Sequence, residues 1–416
     1  MEPLKDLNVE AAARGEAPLA LDAATGTVIS AGRGGSSGRG GSSGRSTKDH
    51  QLPPEAAVRL AEAVPPNTRR AWASRWARYE NWCAANAYTT PMPPTAAMLA
   101  AYLDYLGHDQ GLKVSTLESH LGSLMALTHL WVAAETERLA GLRLQGIEVG
   151  EDPVAPSTVL ARRAIIARSR AVALDPKADP GAKRAAPLLP GDVRAMVDKI
   201  EQNTLVGLRD KALILLGFAM GRRGAEIAAV NANDLSEPEE ADGEVLRVRV
   251  RLSKTNSSGM KEDSVDVPRS QDLRYCPVTA VRRWQLELAR RGYTGAALFP
   301  RLDNRDRIGA AAGSPARART VDDGRITQQT LYRVIRKRAS AAGVDVRVKK
   351  DGTSAPRQVS AHSTRRGFVT AAFAGGADPL HVARHAGFTP GSKVLYRYVD
   401  ESLKVNPAKG LLDPGE

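Results

Sequence analysis

Residues 175–190 divide this chain, because Pro176, Pro180, Pro187 and Pro190 stand there among small and charged residues. Proline lacks an amide proton and fixes its own φ, so neither a helix nor a central strand runs through such a stretch. The hydrophobic pattern also changes across it. Before the prolines, apolar residues recur at helical spacing; after them, helical and alternating segments mix. A chain of 416 residues is long enough to build two cores. We read a linker over 175–190, a helical domain over 53–174, a mixed α and β domain over 191–405 and a C-terminal tail over 406–416.

The first domain reads as a small helical bundle. A helix capped by Asn67 or Thr68 is expected to run to about Ala85, with Trp72, Trp76, Tyr79, Trp82 and Cys83 on one stripe. Aromatic stripes at this spacing are core. The arginines mostly off it, Arg69, Arg70, Arg75 and Arg78, are therefore the candidates for contact with phosphates. A second helix is expected over about 94–106. A third opens on Ser115-Thr116-Leu117-Glu118, a capping box, and buries Leu117, Leu121, Leu124 and Leu127. A fourth, over about 157–173, carries Arg162, Arg163, Arg168 and Arg170.

Residues 1–52 contain the near-repeat Gly32-Arg33-Gly34-Gly35-Ser36-Ser37-Gly38-Arg39 and read as a disordered Gly/Ser/Arg-rich tail. Over the whole chain 59 Lys and Arg face 46 Asp and Glu, a net charge of +13 that suits a polyanionic partner. Cys83 and Cys276 are the only cysteines, so neither a disulfide scaffold nor a structural zinc site is expected. No apolar run reaches the length of a membrane span, and Met1-Glu2-Pro3-Leu4 lacks the pattern of a signal peptide. A cytoplasmic protein with no membrane partner is expected.

In the second domain, 208–220 is a strongly apolar helix, expected at the centre. Residues 245–252 alternate, with Leu246, Val248, Val250 and Leu252 on one face and Arg247, Arg249 and Arg251 on the other. This is a half-buried strand with a basic outer face. A turn at Asn256-Ser257-Ser258-Gly259 and a return strand through Val265 and Val267 put Lys254 near a hairpin tip. Residues 301–325 read as a long loop, and helices resume at Thr327, Ser363 and Asp378.

Three motifs in this domain bear on chemistry. Gly221-Arg222-Arg223-Gly224-Ala225-Glu226 follows the apolar helix. His362-Ser363-Thr364-Arg365 and Leu395-Tyr396-Arg397-Tyr398 come near the end. Cleaving a phosphodiester by transesterification requires charge stabilisation at phosphorus, an in-line nucleophile and a proton for the leaving oxygen. Arginine holds two phosphate oxygens with its planar fork, and a tyrosine ester conserves the bond energy for a return reaction. Lysine or histidine moves the proton. Glu226, three residues after Arg223, is placed to orient it, and His362 and Arg365 share a face near a helix start.

Together these residues resemble the tyrosine recombinases of the phage-integrase family, most of all the Cre type. The family's Gly-x-Arg-x-x-Glu motif matches Gly221, Arg223 and Glu226; its hairpin lysine matches Ser253-Lys254-Thr255; its His-x-x-Arg matches His362 and Arg365; and its Arg-Tyr-Val matches Arg397-Tyr398-Val399. Ser119-His120-Leu121-Gly122-Ser123-Leu124 and Asn81-Trp82-Cys83 add to the likeness, which spans about 55–405. The resemblance implies a mostly α fold: a helical core-binding bundle and a mixed α+β catalytic domain, closing as a C-shaped clamp on DNA. It implies Tyr398 as nucleophile, Arg223 and Arg365 as phosphate clamps, Lys254 as general acid and His362 as general base. No cofactor or metal is implied. The partners implied are double-stranded DNA with inverted-repeat half-sites and three further copies of the chain, a homotetramer on two sites. Arg247 and Arg249 join the DNA-contact candidates.

One position departs from the family. Where His or Trp is usual after a glycine, this chain has Ala386-Gly387-Phe388-Thr389, and Phe388 donates no hydrogen bond. It packs against the nucleophile or leaves the donor's role to His385. The spacing to Tyr398 is about one residue longer than usual, so Tyr396 stays open as an alternative nucleophile. Two other functions stay open: a DNA-binding protein without catalysis, and a type IB topoisomerase or telomere resolvase.

Overall fold

The computed structural model describes residues 19–22, 27–30, 53, 56, 63–89, 91–176, 185–239, 244–253, 256, 260–303, 305–308, 324–348 and 354–403. The chain is mostly helical and separates into two compact units, dividing at Gly181 and Ala182.

The first unit holds a short antiparallel hairpin, β1 (Leu19–Asp22) with β2 (Thr27–Ser30), inside the stretch expected to be disordered. β-Branched Thr27, Val28 and Ile29 favour strand. The Gly/Ser/Arg repeat lies outside the described residues.

Four helices follow: α1 (Pro66–Ala85), α2 (Ala96–His108), α3 (Val114–Leu144) and α4 (Val159–Leu174). Trp76, Tyr79, Trp82 and Cys83 from α1 meet Leu99, Tyr102, Leu103 and Leu106 from α2 in one core, with Leu117, Leu121, Leu124 and Leu127 of α3. The aromatic stripe is therefore packing. Two helix starts differ from expectation. The N-cap of α1 is Pro65 rather than Asn67 or Thr68, because proline is pre-set for the first helical turn. α3 begins one residue before Ser115, so Ser115 lies within the helix and its carbonyl accepts from Ser119 Oγ instead of forming a capping box.

The second unit is built around α6 (Leu205–Met220), which is buried along nearly its whole length. Thr204 caps it by accepting from the Gly207 amide. The helices α5 (Pro190–Asp198), α8 (Pro277–Arg290) and α10 (Ala361–Ala374) pack on it. The carboxylate within α6 is paired twice: Asp210 accepts from Arg209 and, across the core, from Arg338 of α9 (Gln328–Ala341). A three-stranded antiparallel sheet orders β3 (Leu235–Ser236), β4 (Val245–Arg249) and β5 (Ser264–Pro268). Leu246, Val248 and Val250 are buried as the alternation requires, but Leu252 is 59% exposed because it lies beyond the last paired residue. A second hairpin, β6 (Val346–Val348) and β7 (Ser354–Pro356), has no counterpart in the sequence reading.

The end of the expected linker belongs to this unit. The Ala186 amide donates to Gln358 O, the Leu188 amide donates to Ser363 O, and Leu188 is buried. After α10 come α11 (Pro379–Ala386), capped by Asp378, and α12 (Lys393–Leu403). Both pack on α10, around Val369, Phe373, Val382, Ala383, Ala386 and Leu395. Among the described residues, no helix is long and apolar enough to cross a membrane.

Candidate active site

Four backbone features of the second unit converge here. α6 ends at Gly221 in the left-handed conformation, φ 60°, where a Cβ would lie 2.4 Å from the Phe368 ring. The chain therefore turns sharply and sets Arg223 as the N-cap of α7 (Gly224–Ala228). Glu226, buried in the first turn of α7, accepts from the Arg223 amide at 3.2 Å and from its Nη1 at 3.0 Å. One carboxylate thus caps the helix and orients the guanidinium.

Ser360 caps α10 by accepting from the His362 amide, which puts the helix start at Ala361, two residues before Ser363. His362 and Arg365 then share a face. Arg365 is 1% exposed; its Nη1 donates to Gly221 O at 3.2 Å and to Ala386 O. Its Nη2 is buried and has no hydrogen-bond partner among the described residues. Burial and the neighbouring Arg223 lower the guanidinium pKa to about 10, so it stays cationic at neutral pH.

α12 brings Tyr398 to this cluster. Its hydroxyl lies 3.2 Å from His362 Nε2. The phenol is 7% exposed, whereas Tyr396 is 52% exposed on the outer side of the helix. Desolvation and then the charges of Arg365, Arg366 and Arg223 hold the His362 pKa below its usual value. The imidazole is therefore neutral at pH 7 and able to accept a proton. Phe388 fills the space beside the phenol: its ring meets Tyr398 edge-on at 6.0 Å, and the Arg365 guanidinium lies 3.8 Å over it. His385 faces elsewhere. Its Nε2 bonds Ala219 O at 2.8 Å and its ring stacks on Phe368.

Arg223, Glu226, His362, Arg365, Phe388 and Tyr398 thus share one locus. Lys254 lies outside the described residues; the chain on either side is pinned by mutual bonds between Ser253 and Asn256. The sequence reading missed Arg222 and Arg366. Arg222 is 0% exposed and engages Asp263 with both Nη atoms at 2.7 Å. Arg366 holds Ala185 O and sets its guanidinium 5.9 Å from the centre of the Tyr398 ring. An arginine beside each motif arginine was the available signal.

The surface arginines divide. In the first unit Arg70, Arg162 and Arg163 are exposed, Arg75 donates to Ser123 Oγ, Arg78 donates to Gln110 Oε1, and Arg69 has a buried Nε. In the second unit Arg247 is bidentate to Asp266 across β4 and β5, while Arg249 is exposed opposite Ser264.

No family model matches this chain. It is 23% identical over 353 residues to an integrase/recombinase XerD homolog of Selenomonas ruminantium, covering 85% of this chain and 87% of that relative. It is 28% identical over 182 residues to tyrosine recombinase XerD of Vibrio vulnificus, covering 40% of this chain and 58% of that relative. Among solved structures, a XerH site-specific recombinase bound to palindromic difH substrate aligns with a TM-score of 0.49 and 16% identity, over 86% of this chain and 81% of XerH.

Proposed function

We propose that this chain, like the tyrosine recombinases and integrases it is similar to, cuts and rejoins DNA at specific sites through a 3′-phosphotyrosyl intermediate and a Holliday junction. The observation that carries the reading is the buried Nη2 of Arg365, without a hydrogen-bond partner among the described residues, beside Arg223 and the His362–Tyr398 pair. A buried donor without an acceptor is costly, and a phosphate oxygen satisfies it.

In this mechanism the Tyr398 oxygen forms a bond to phosphorus as the bond from phosphorus to the 5′ oxygen breaks. The phenol proton passes to His362 Nε2, and Lys254 protonates the leaving 5′ oxygen. Arg223, oriented by Glu226, and Arg365 hold the non-bridging oxygens; Phe388 packs against nucleophile and clamp. Attack by a different 5′ hydroxyl reverses the step on a new partner. Four copies act on two duplexes with inverted-repeat half-sites. Arg69, Arg70, Arg75, Arg78, Arg162, Arg163 and Arg249 contact phosphates, as does Arg247 once Asp266 releases it.

The test uses duplexes selected from a random pool by the wild-type chain, nicked so that the cleaved end diffuses away. A covalent protein–DNA adduct is expected with the wild type and with Tyr396→Phe, and none with Tyr398→Phe. Absence of any adduct overturns the enzymatic reading in favour of a DNA-binding protein.

A further inference from the structure

We propose that Arg222 is a positioning residue for this chemistry, acting through the carbonyl end of α11; the proposal rests on the recombinase reading and deepens it. Arg222 is 0% exposed, so DNA does not reach it. Its fork grips Asp263, just ahead of β5, while Nε donates to His385 O at 2.7 Å and Nη2 to Arg384 O at 3.2 Å.

The next two carbonyls of the same turn serve the phosphate clamps: Ala386 O accepts from Arg365, and Gly387 O lies 3.5 Å from Arg223 Nη1. Four consecutive main-chain oxygens, 384–387, therefore receive three guanidinium groups. The carbonyl end of a helix carries partial negative charge and lacks internal donors, which suits it to gather cations.

Beside the His385 bond to Ala219 O, Arg222 ties this turn to the start of β5. It holds the turn from one side and β5 from the other, through a bidentate pair that sets orientation as well as distance. The fit is close: Gly387 has φ +67°, and a Cβ there would lie 2.3 Å from Arg222 Nη1. Lysine supplies one point charge and cannot span both partners in this geometry. A shift of the turn moves the acceptors of Arg365 and Arg223 together, and misplacement of about 1 Å costs on the order of 10²-fold in rate.

Arg222→Lys and Asp263→Asn in the full chain test this on the selected nicked duplex, with protein in saturating excess. The rate of adduct formation at saturation is expected to fall about 10²-fold for Arg222→Lys and about tenfold for Asp263→Asn, with half-saturating concentrations within about threefold of wild type. Wild-type rates in both variants overturn the proposal and leave the recombinase reading intact. No adduct from the wild-type chain overturns that reading, and the proposal with it. A parallel loss of melting temperature and DNA binding in both variants overturns it in favour of a purely structural clamp.

Discussion

Phe388 lies between the Arg365 guanidinium and the Tyr398 ring. A cation over an aromatic face contributes about 0.5–2 kcal/mol, and an edge-on aromatic pair about 0.5–1.5 kcal/mol. Phe388→Leu removes both contacts, and the adduct rate on the nicked duplex is expected to fall about tenfold or more. Phe388→Trp keeps both and restores a donor, so its rate is expected to equal or exceed wild type. His362 supplies a pH signature. Its folded pKa lies below the ordinary value of about 6.5, so the neutral imidazole persists below that pH. The acidic limb of the rate profile is expected below pH 6.5 and absent from His362→Asn. The unfolded chain binds the proton first, so this group's stability contribution declines as pH falls below about 6.5. That Arg223 meets Glu226 and that His362 and Arg365 share a face was legible, because each pair stands at a fixed local spacing. Arg222 was not, since what separates it from Arg223 is the distant Asp263 and the end of α11.

At the scale of elements, α2 and α3 meet through a buried polar contact, Tyr102 Oη to His120 Nδ1 at 3.2 Å. Burial, then Arg75 and Arg78, lower the His120 pKa to about 4. The unfolded state therefore takes up a proton that the folded unit refuses, and stability falls as pH drops below about 6.5. Between pH 7 and 5 the loss is expected to be about 2 kcal/mol for the first unit. His120→Gln keeps an acceptor for Tyr102 but does not titrate, so its urea midpoint is expected to change less over that range. Helices with a clean apolar repeat, such as Leu117, Leu121, Leu124 and Leu127, were legible because one buried face fixes the period. Their ends were less so. Ser115 reads as a cap by type, yet Val114 already packs against the core and starts the helix one residue early. The hairpin of β6 and β7 is too short for alternation to stand out.

For the whole molecule, the described residues form three apolar clusters with separate memberships: one from α1–α4 and two from the second unit. Trp72, Trp76, Trp82 and Trp131 belong to the first unit and Trp284 to the second. Urea unfolding is expected to depart from two-state behaviour, with tryptophan fluorescence and far-UV circular dichroism giving different midpoints; coincident midpoints count against independent units. The proline-rich division was legible because composition changes abruptly there. Its far edge was not, since Ala186 and Leu188 are held by bonds to Gln358 and Ser363, far along the chain. The carbonyl end of α11 has a consequence for how such a site tolerates change. Its acceptors are peptide oxygens, present whatever side chains stand at 384–386. Mutational drift there leaves the guanidinium acceptors in place so long as the backbone keeps its path, and Gly387 is the one position where an added methyl group closes that freedom.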